Sequence, residues 1–161
     1  MEDCCAGKPS DASGPTRCPE CRRPGRVVDR VTLKALLQPQ AVMRVQAPKH
    51  HFCPTSDCPV VYFGRDEVFR RHDILVPVFQ KEPEGDRTVC YCFAVTEGDI
   101  RCELQATGHS TASARITELV QANRCACELR NPQGSCCLGN VASVTTEAMV
   151  RARPPEALHR R

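Results

Sequence analysis

Ten of the chain's thirteen cysteines fall into two groups whose residue types and spacing suit metal ligation. The first group is Cys18-Pro19-Glu20-Cys21 with Cys53-x4-Cys58. Each short turn presents two sulfurs, and two such turns brought together make four corners of a tetrahedron. The fixed φ of Pro19 suits the second position of a tight turn. A closed set of four thiolates, Cys18, Cys21, Cys53 and Cys58, leaves no open position for a catalytic water, so the expected metal is structural zinc. His50 and His51 are close enough in sequence to Cys53 to stand as alternative ligands. The second group is Cys90-Tyr91-Cys92, Cys125-x-Cys127 and the loop Asn131-Pro132-Gln133-Gly134-Ser135-Cys136-Cys137. Thiolates two residues apart in extended chain lie on one side of it, and a [2Fe-2S] rhomb needs two such sulfurs for each iron.

These thiols need scaffolding. The β-branched run Arg26–Val31 predicts a strand, and Leu33, Leu36 and Leu37 predict a short helix capped by Thr32 and closed near Pro39. Further strands are expected around 43–46, 50–53, 60–63 and 74–79. The polar stretch 81–86 reads as a module boundary. Beyond it, Thr96 with Asp99 three residues on predicts a helix that carries Ile100, Leu104 and Cys102 inward and stops at Gly108. Ser110 or Thr111 caps a second helix through Ala112, Ile116, Leu119 and Val120. The turn at Asn131-Pro132-Gln133-Gly134 folds the chain back so that Cys127 and Cys137 meet. A third helix runs from Leu138 or Asn140 to Val150, with Val141, Val144 and Met149 on one side, and ends at Pro154-Pro155. The fold class is therefore α+β: a small zinc-bound β-rich module, 17–81, followed by a helical module, 86–152. Residues 1–16 read as a disordered tail and 153–161 as a basic tail.

The composition agrees. With no Trp, two Tyr and five Phe, the 161 residues offer little for two independent apolar cores, so bound metal is expected to supply folding free energy. The net charge of +3 is spread among interleaved acids and bases rather than along a basic stripe, which argues against nucleic acid. No apolar run is long enough for a membrane span, and no signal peptide opens the chain. A cytoplasmic location is expected, where dense cysteine reads as metal binding before disulfides.

The motifs as they stand resemble the N-terminal region of CopZ-type copper chaperones. The resemblance rests on Cys18-x2-Cys21, Cys53-x4-Cys58-Pro-Val-Val-Tyr62-Phe63, Cys90-x-Cys92 and Cys127-x3-Asn131-Pro132-x-Gly134-x-Cys136-Cys137. The helical half alone is similar to bacterioferritin-associated ferredoxin. The resemblance implies zinc on Cys18, Cys21, Cys53 and Cys58, and a [2Fe-2S] cluster on Cys90, Cys92, Cys127 and Cys137. Cys125 and Cys136, beside those ligands, stand either as packing thiols or as exchangeable ligands for a soft metal. Cys102 reads as a small buried hydrophobe, and Cys4-Cys5 as a soft-metal pair or as incidental tail residues.

The expected function is a metallochaperone-like protein that handles copper or mercury, with one-electron redox activity. Its partners would be soft metal ions, Cu(I) or Hg(II), and a metal-transport ATPase or a redox partner protein. The alternative is a ferredoxin that donates electrons to a reductase or iron-store protein. No His-Glu-x-x-His, Gly-x-Ser-x-Gly or phosphate loop occurs, so no catalytic residue is assigned and the enzymatic option is metal-ion reduction through the cluster. Asp73 beside His72 reads as a solvated pair.

Overall fold

The computed structural model describes residues 15–152. The Cys4-Cys5 pair, most of the expected N-terminal tail, Pro154-Pro155 and the basic tail lie outside the described residues. Four antiparallel strands form one sheet in chain order: β1 (Arg26–Val28), β2 (His50–Phe52), β3 (Val60–Phe63) and β4 (Val68–Arg70). Arg26 pairs with Phe52, Phe52 with Tyr62, and Val60 with Arg70, with a register shift between Val60 and Tyr62. The three aromatics Phe52, Tyr62 and Phe69 are fully buried with Val28, Leu33, Leu37, Val61 and Val78. Two short helices cover this sheet, α1 (Arg30–Leu36) and α2 (Pro39–Val42).

Several sequence expectations shift here. Asp29, not Thr32, precedes α1, so the strand stops at Val28; Thr32 lies inside the helix and is fully buried. Pro39 opens α2 at its first turn, where a missing N–H has no helical partner to lose, instead of closing α1. No strand forms at 43–46 or 74–79. Glu67 holds the first of these segments, its Oε1 accepting from the N–H groups of Gln46 and Ala47 at 2.7 and 2.6 Å. Ile74 makes one isolated bridge to Leu37, and a 3-10 turn at Phe79–Lys81 ends the second segment. Asp73 is not a solvated partner of His72. It is buried, accepts from Arg44 at 2.5 Å and from the Arg70 N–H at 2.8 Å, and caps a 3-10 turn.

The second half opens on a hairpin absent from the sequence reading, β5 (Thr88–Cys90) with β6 (Val95–Thr96). Helices α3 (Glu97–Thr107), α4 (Ala112–Gln121), α5 (Cys127–Arg130) and α6 (Leu138–Ala152) follow. The Thr96–Asp99 capping box forms as expected, Asp99 N–H donating to Thr96 Oγ1 at 3.1 Å and Thr96 N–H to Asp99 Oδ2 at 2.8 Å. Gly108, at φ 76°, takes the left-handed position that ends α3. Ile100, Leu104, Ala112, Ile116, Val141 and Val144 form the core, together with Val89, Cys90 and Cys137. Cys102 points to solvent, contrary to its reading as a buried hydrophobe, because Ile100 and Leu104 already define the inward face four residues apart. Met149 is likewise 47% exposed, although its neighbour Ala148 packs against the core.

The loop 131–137 is clamped between the halves. Tyr62 Oη donates to Pro132 O at 2.6 Å, and Gln80 Nε2 donates to Gln133 Oε1 at 2.6 Å. Asn131 and Gln133 are buried and donate their amide N–H groups within the loop itself, Asn131 Nδ2 reaching Ser135 O at 2.8 Å and Gln133 Nε2 reaching Cys136 O at 2.9 Å. Gly134 turns at φ 67°, and a Cβ there would stand 2.7 Å from Val28 Cγ2. Replacing it with alanine is expected to cost about 2–3 kcal/mol, from the left-handed backbone plus the clash with β1. Urea unfolding of G134A checks this, and an unchanged midpoint would contradict it.

Candidate metal centres

Sequence folds the first site from two turns. Arg22, at φ 60°, lets its N–H return to Cys18 O at 3.0 Å, which curls the 18–22 turn around its two sulfurs. The second turn leaves the end of β2, with Cys53 N–H donating to Val61 O at 2.9 Å, and closes with Cys58 N–H on Thr55 O at 3.3 Å. Cys18 and Cys53 are fully buried and Cys58 nearly so, against Val60 and Phe63. Sγ of Cys18 lies 3.7 Å from Sγ of Cys58, Sγ of Cys21 lies 3.6 Å from Sγ of Cys53, and all four sulfurs fall within 4.8 Å of one another. Four sulfurs bound about 2.3 Å from one tetrahedral ion stand about 3.8 Å apart, so the donor set fits a closed site for zinc.

The thiols are poised unequally. The Thr55 hydroxyl, 3.5 Å from Cys21 Sγ, is the main cause that lowers the Cys21 thiol to about 6. Burial pushes Cys18 up and takes Cys58 to about 12. Neither histidine joins these sulfurs. His50 Nε2 bonds Glu67 Oε2 at 2.5 Å, and His51 stacks on Phe63 with ring centroids 5.4 Å apart. Burial lowers the His51 pKa.

The second group assembles around the β5–β6 hairpin. Cys90 ends β5 and Cys92 sits in the turn, while Tyr91 between them points the other way. The Tyr91 hydroxyl donates to Pro77 O at 2.7 Å and accepts from Phe79 N–H at 2.9 Å. Burial raises its pKa to about 12, so it remains a neutral phenol that anchors the Cys-x-Cys segment. Cys127 arrives at the start of α5, its Sγ 3.7 Å from Cys92 Sγ. The Ala126 N–H donates to Cys92 Sγ at 3.3 Å. Cys137, directly before α6, interacts with Cys90, and that pairing is the leading cause that lowers Cys90 to about 6 while Cys137 is raised.

Cys92 and Cys127 thus form one couple, and Cys90 and Cys137 lie in the same buried core cluster as a second. Cys90, Cys127 and Cys137 are buried and Cys92 is partly so. Cys136 is exposed and Cys125 partly exposed, each outside these couples. Sequence reasoning missed the residues that hold the loops: Thr55, Tyr62, Lys81, Tyr91 and the amide of Gln133. Only Gln133 had a local signal, its place inside the Asn-Pro-x-Gly turn.

A four-cysteine knuckle on a small antiparallel sheet, followed by a helical half that gathers four more thiols, defines a cysteine-rich metal-binding protein. A family described as a zinc binding domain matches residues 15–75. The copper chaperone CopZ of Archaeoglobus fulgidus is 33% identical over 121 residues, which make up 75% of this chain and 57% of that protein. The chain thus aligns with little more than half the length of that relative. The crystal structure of the A. fulgidus CopZ N-terminal domain superposes with a TM-score of 0.67 at 31% identity, over 80% of this chain and 96% of that one. The chain belongs to the family of the CopZ N-terminal domain.

Proposed function

We propose that this chain is a metallochaperone-type protein for soft heavy-metal ions, copper or mercury, with a structural zinc on Cys18, Cys21, Cys53 and Cys58 and a [2Fe-2S] cluster on Cys90, Cys92, Cys127 and Cys137. In this reading residues 17–81 are the zinc module and 86–152 the cluster module. The observation that carries the cluster is the division of the second set into two couples, one with its sulfurs 3.7 Å apart. Two thiolates on each of two irons accommodate such a division, and the four sulfurs of the first site are by contrast all within 4.8 Å of one another. Family membership supports the metal-handling part.

A [2Fe-2S] group bound there supplies one-electron chemistry. The chain's own residues hold it and set its surroundings. Tyr91 and the Gln133 amide fix the two loops that bring the thiols, and Val89, Ile100 and Val141 keep water from the inner side. Cys92 and the exposed Cys136 mark the side open to a redox partner or to a metal ion awaiting reduction. No helix among the described residues is long and apolar enough to cross a membrane. A cytoplasmic setting, with a metal-transport ATPase or a redox protein as partner, completes the proposal.

Anaerobically purified protein is expected to contain about one zinc and two irons per chain and to absorb above about 400 nm. The dithionite-reduced form should give a paramagnetic resonance signal, and C137S should abolish colour and iron while zinc stays. Zinc in both sites, or a colourless preparation, would refute the cluster. Copper(I) and mercury(II) titration against a C4S/C5S variant tests cargo handling. Binding no tighter than that variant's, with cluster redox unaffected by the ions, would leave a ferredoxin.

A further inference from the structure

Lys81 is 3% exposed at the end of the 3-10 turn Phe79–Lys81, and none of the described carboxylates pairs with it. Its ammonium donates to two backbone carbonyls, Thr55 O at 2.5 Å and Cys58 O at 3.0 Å. Both belong to the 53–58 turn that carries two of the four sulfurs of the first site. A buried ammonium held only by neutral carbonyls is costly, and such a charge persists where a compensating charge stands close by. The thiolate site is that charge. A divalent ion on four thiolates leaves a net charge of about −2 in an apolar surrounding of Val60 and Phe63. Of the other cations near the site, Arg70 already spends its guanidinium on Glu20, at 2.6 and 3.2 Å, and Arg17, Arg22 and Arg23, which flank the Cys18–Cys21 turn, are exposed to solvent.

We propose that Lys81 is the counter-cation of the four-thiolate metal site, held against the back of the 53–58 turn so that its charge offsets the excess negative charge of the metal-loaded sulfurs. It acts through the turn and by charge, as a positioning residue rather than a ligand. The inference rests on zinc occupying Cys18, Cys21, Cys53 and Cys58. It predicts that the charge at position 81 matters more than the ability to hydrogen bond. K81R keeps the charge, K81Q keeps donors without charge, and K81M keeps neither.

Zinc release from the full-length protein to a colorimetric chelator, followed alongside far-ultraviolet circular dichroism, is the test. K81Q and K81M are expected to lose zinc about 10–100-fold faster than the parent, in line with the usual effect of removing a residue that supports metal ligands. K81R is expected to stay within about threefold of the parent. Should K81M fail to accumulate as folded protein, the comparison of K81R with K81Q decides. Equal release rates for K81R and K81Q, or a K81Q rate equal to the parent's, overturns the proposal. A parent protein that contains no zinc at all refutes the occupancy of the site instead, a result read from its metal content before any variant is compared.

Discussion

Substituting serine for Cys53 is expected to leave the protein without zinc and its sheet half unfolded. Cys53 is fully buried, lies 3.6 Å from Cys21 between their sulfurs, and follows β2 directly. Structural zinc sites bind with about 10–16 kcal/mol in small domains, which matches the whole net stability of about 5–15 kcal/mol of an ordinary domain. The sheet that this metal would staple is small, with strands of three or four residues. Metal analysis of C53S with circular dichroism checks the expectation. A zinc-free variant with native dichroism and an unchanged thermal midpoint would show that the apolar cluster around Phe52, Tyr62 and Phe69 folds without it.

The second large effect is expected at Glu97, which belongs to neither set of thiols. Its carboxylate is buried at the first turn of α3, where it pairs with Arg87 and accepts from the Gly85 N–H at 2.9 Å. The Arg87 guanidinium lies over the Phe79 ring, 4.3 Å from its centroid. E97A strands this buried cation and frees the 84–87 turn, so a loss of about 3–5 kcal/mol is expected by denaturant unfolding. Burial alone would raise the Glu97 pKa, but the bond from Arg87, the Gly85 N–H and the Arg87 charge outweigh it and hold the group below its usual value. A carboxyl depressed in the folded state contributes its stability above the ordinary carboxylate pKa, and that contribution fades as pH falls through the folded value. E97Q should therefore flatten the acid limb of the stability profile. An acid limb identical to the parent's would refute this assignment.

How legible the chain was from sequence depends on how local each signal is. The Thr96–Asp99 box and Gly108 act within one turn, and both ends of α3 could be read from them. The first cysteine set was readable because its two turns carry their own spacing, and the structure brings those four sulfurs together. The β-branched run Arg26–Val31 misled, because Asp29 starts a helix whose buried face, Thr32, Leu33 and Leu36, is decided by packing on the sheet. The segments at 43–46 and 74–79 looked like strands from apolar content alone, yet Glu67 and Leu36, distant in sequence, take up backbone groups of each. Strand β4 escaped notice for the converse reason, since its three residues carry little alternation and depend on β3 for their pairing. Nothing in the residues around Lys81 or Tyr62 announces that their polar ends meet carbonyls 23 to 70 positions away.

The phenol of Tyr62 on the Pro132 carbonyl has a bearing on how such a chain could be recombined. A helical half transplanted behind a different leader would arrive with the carbonyl of Pro132 without its phenol partner at a freshly exposed face. To be grafted intact, it must bring its own hydroxyl to that spot or keep the original sheet as its companion.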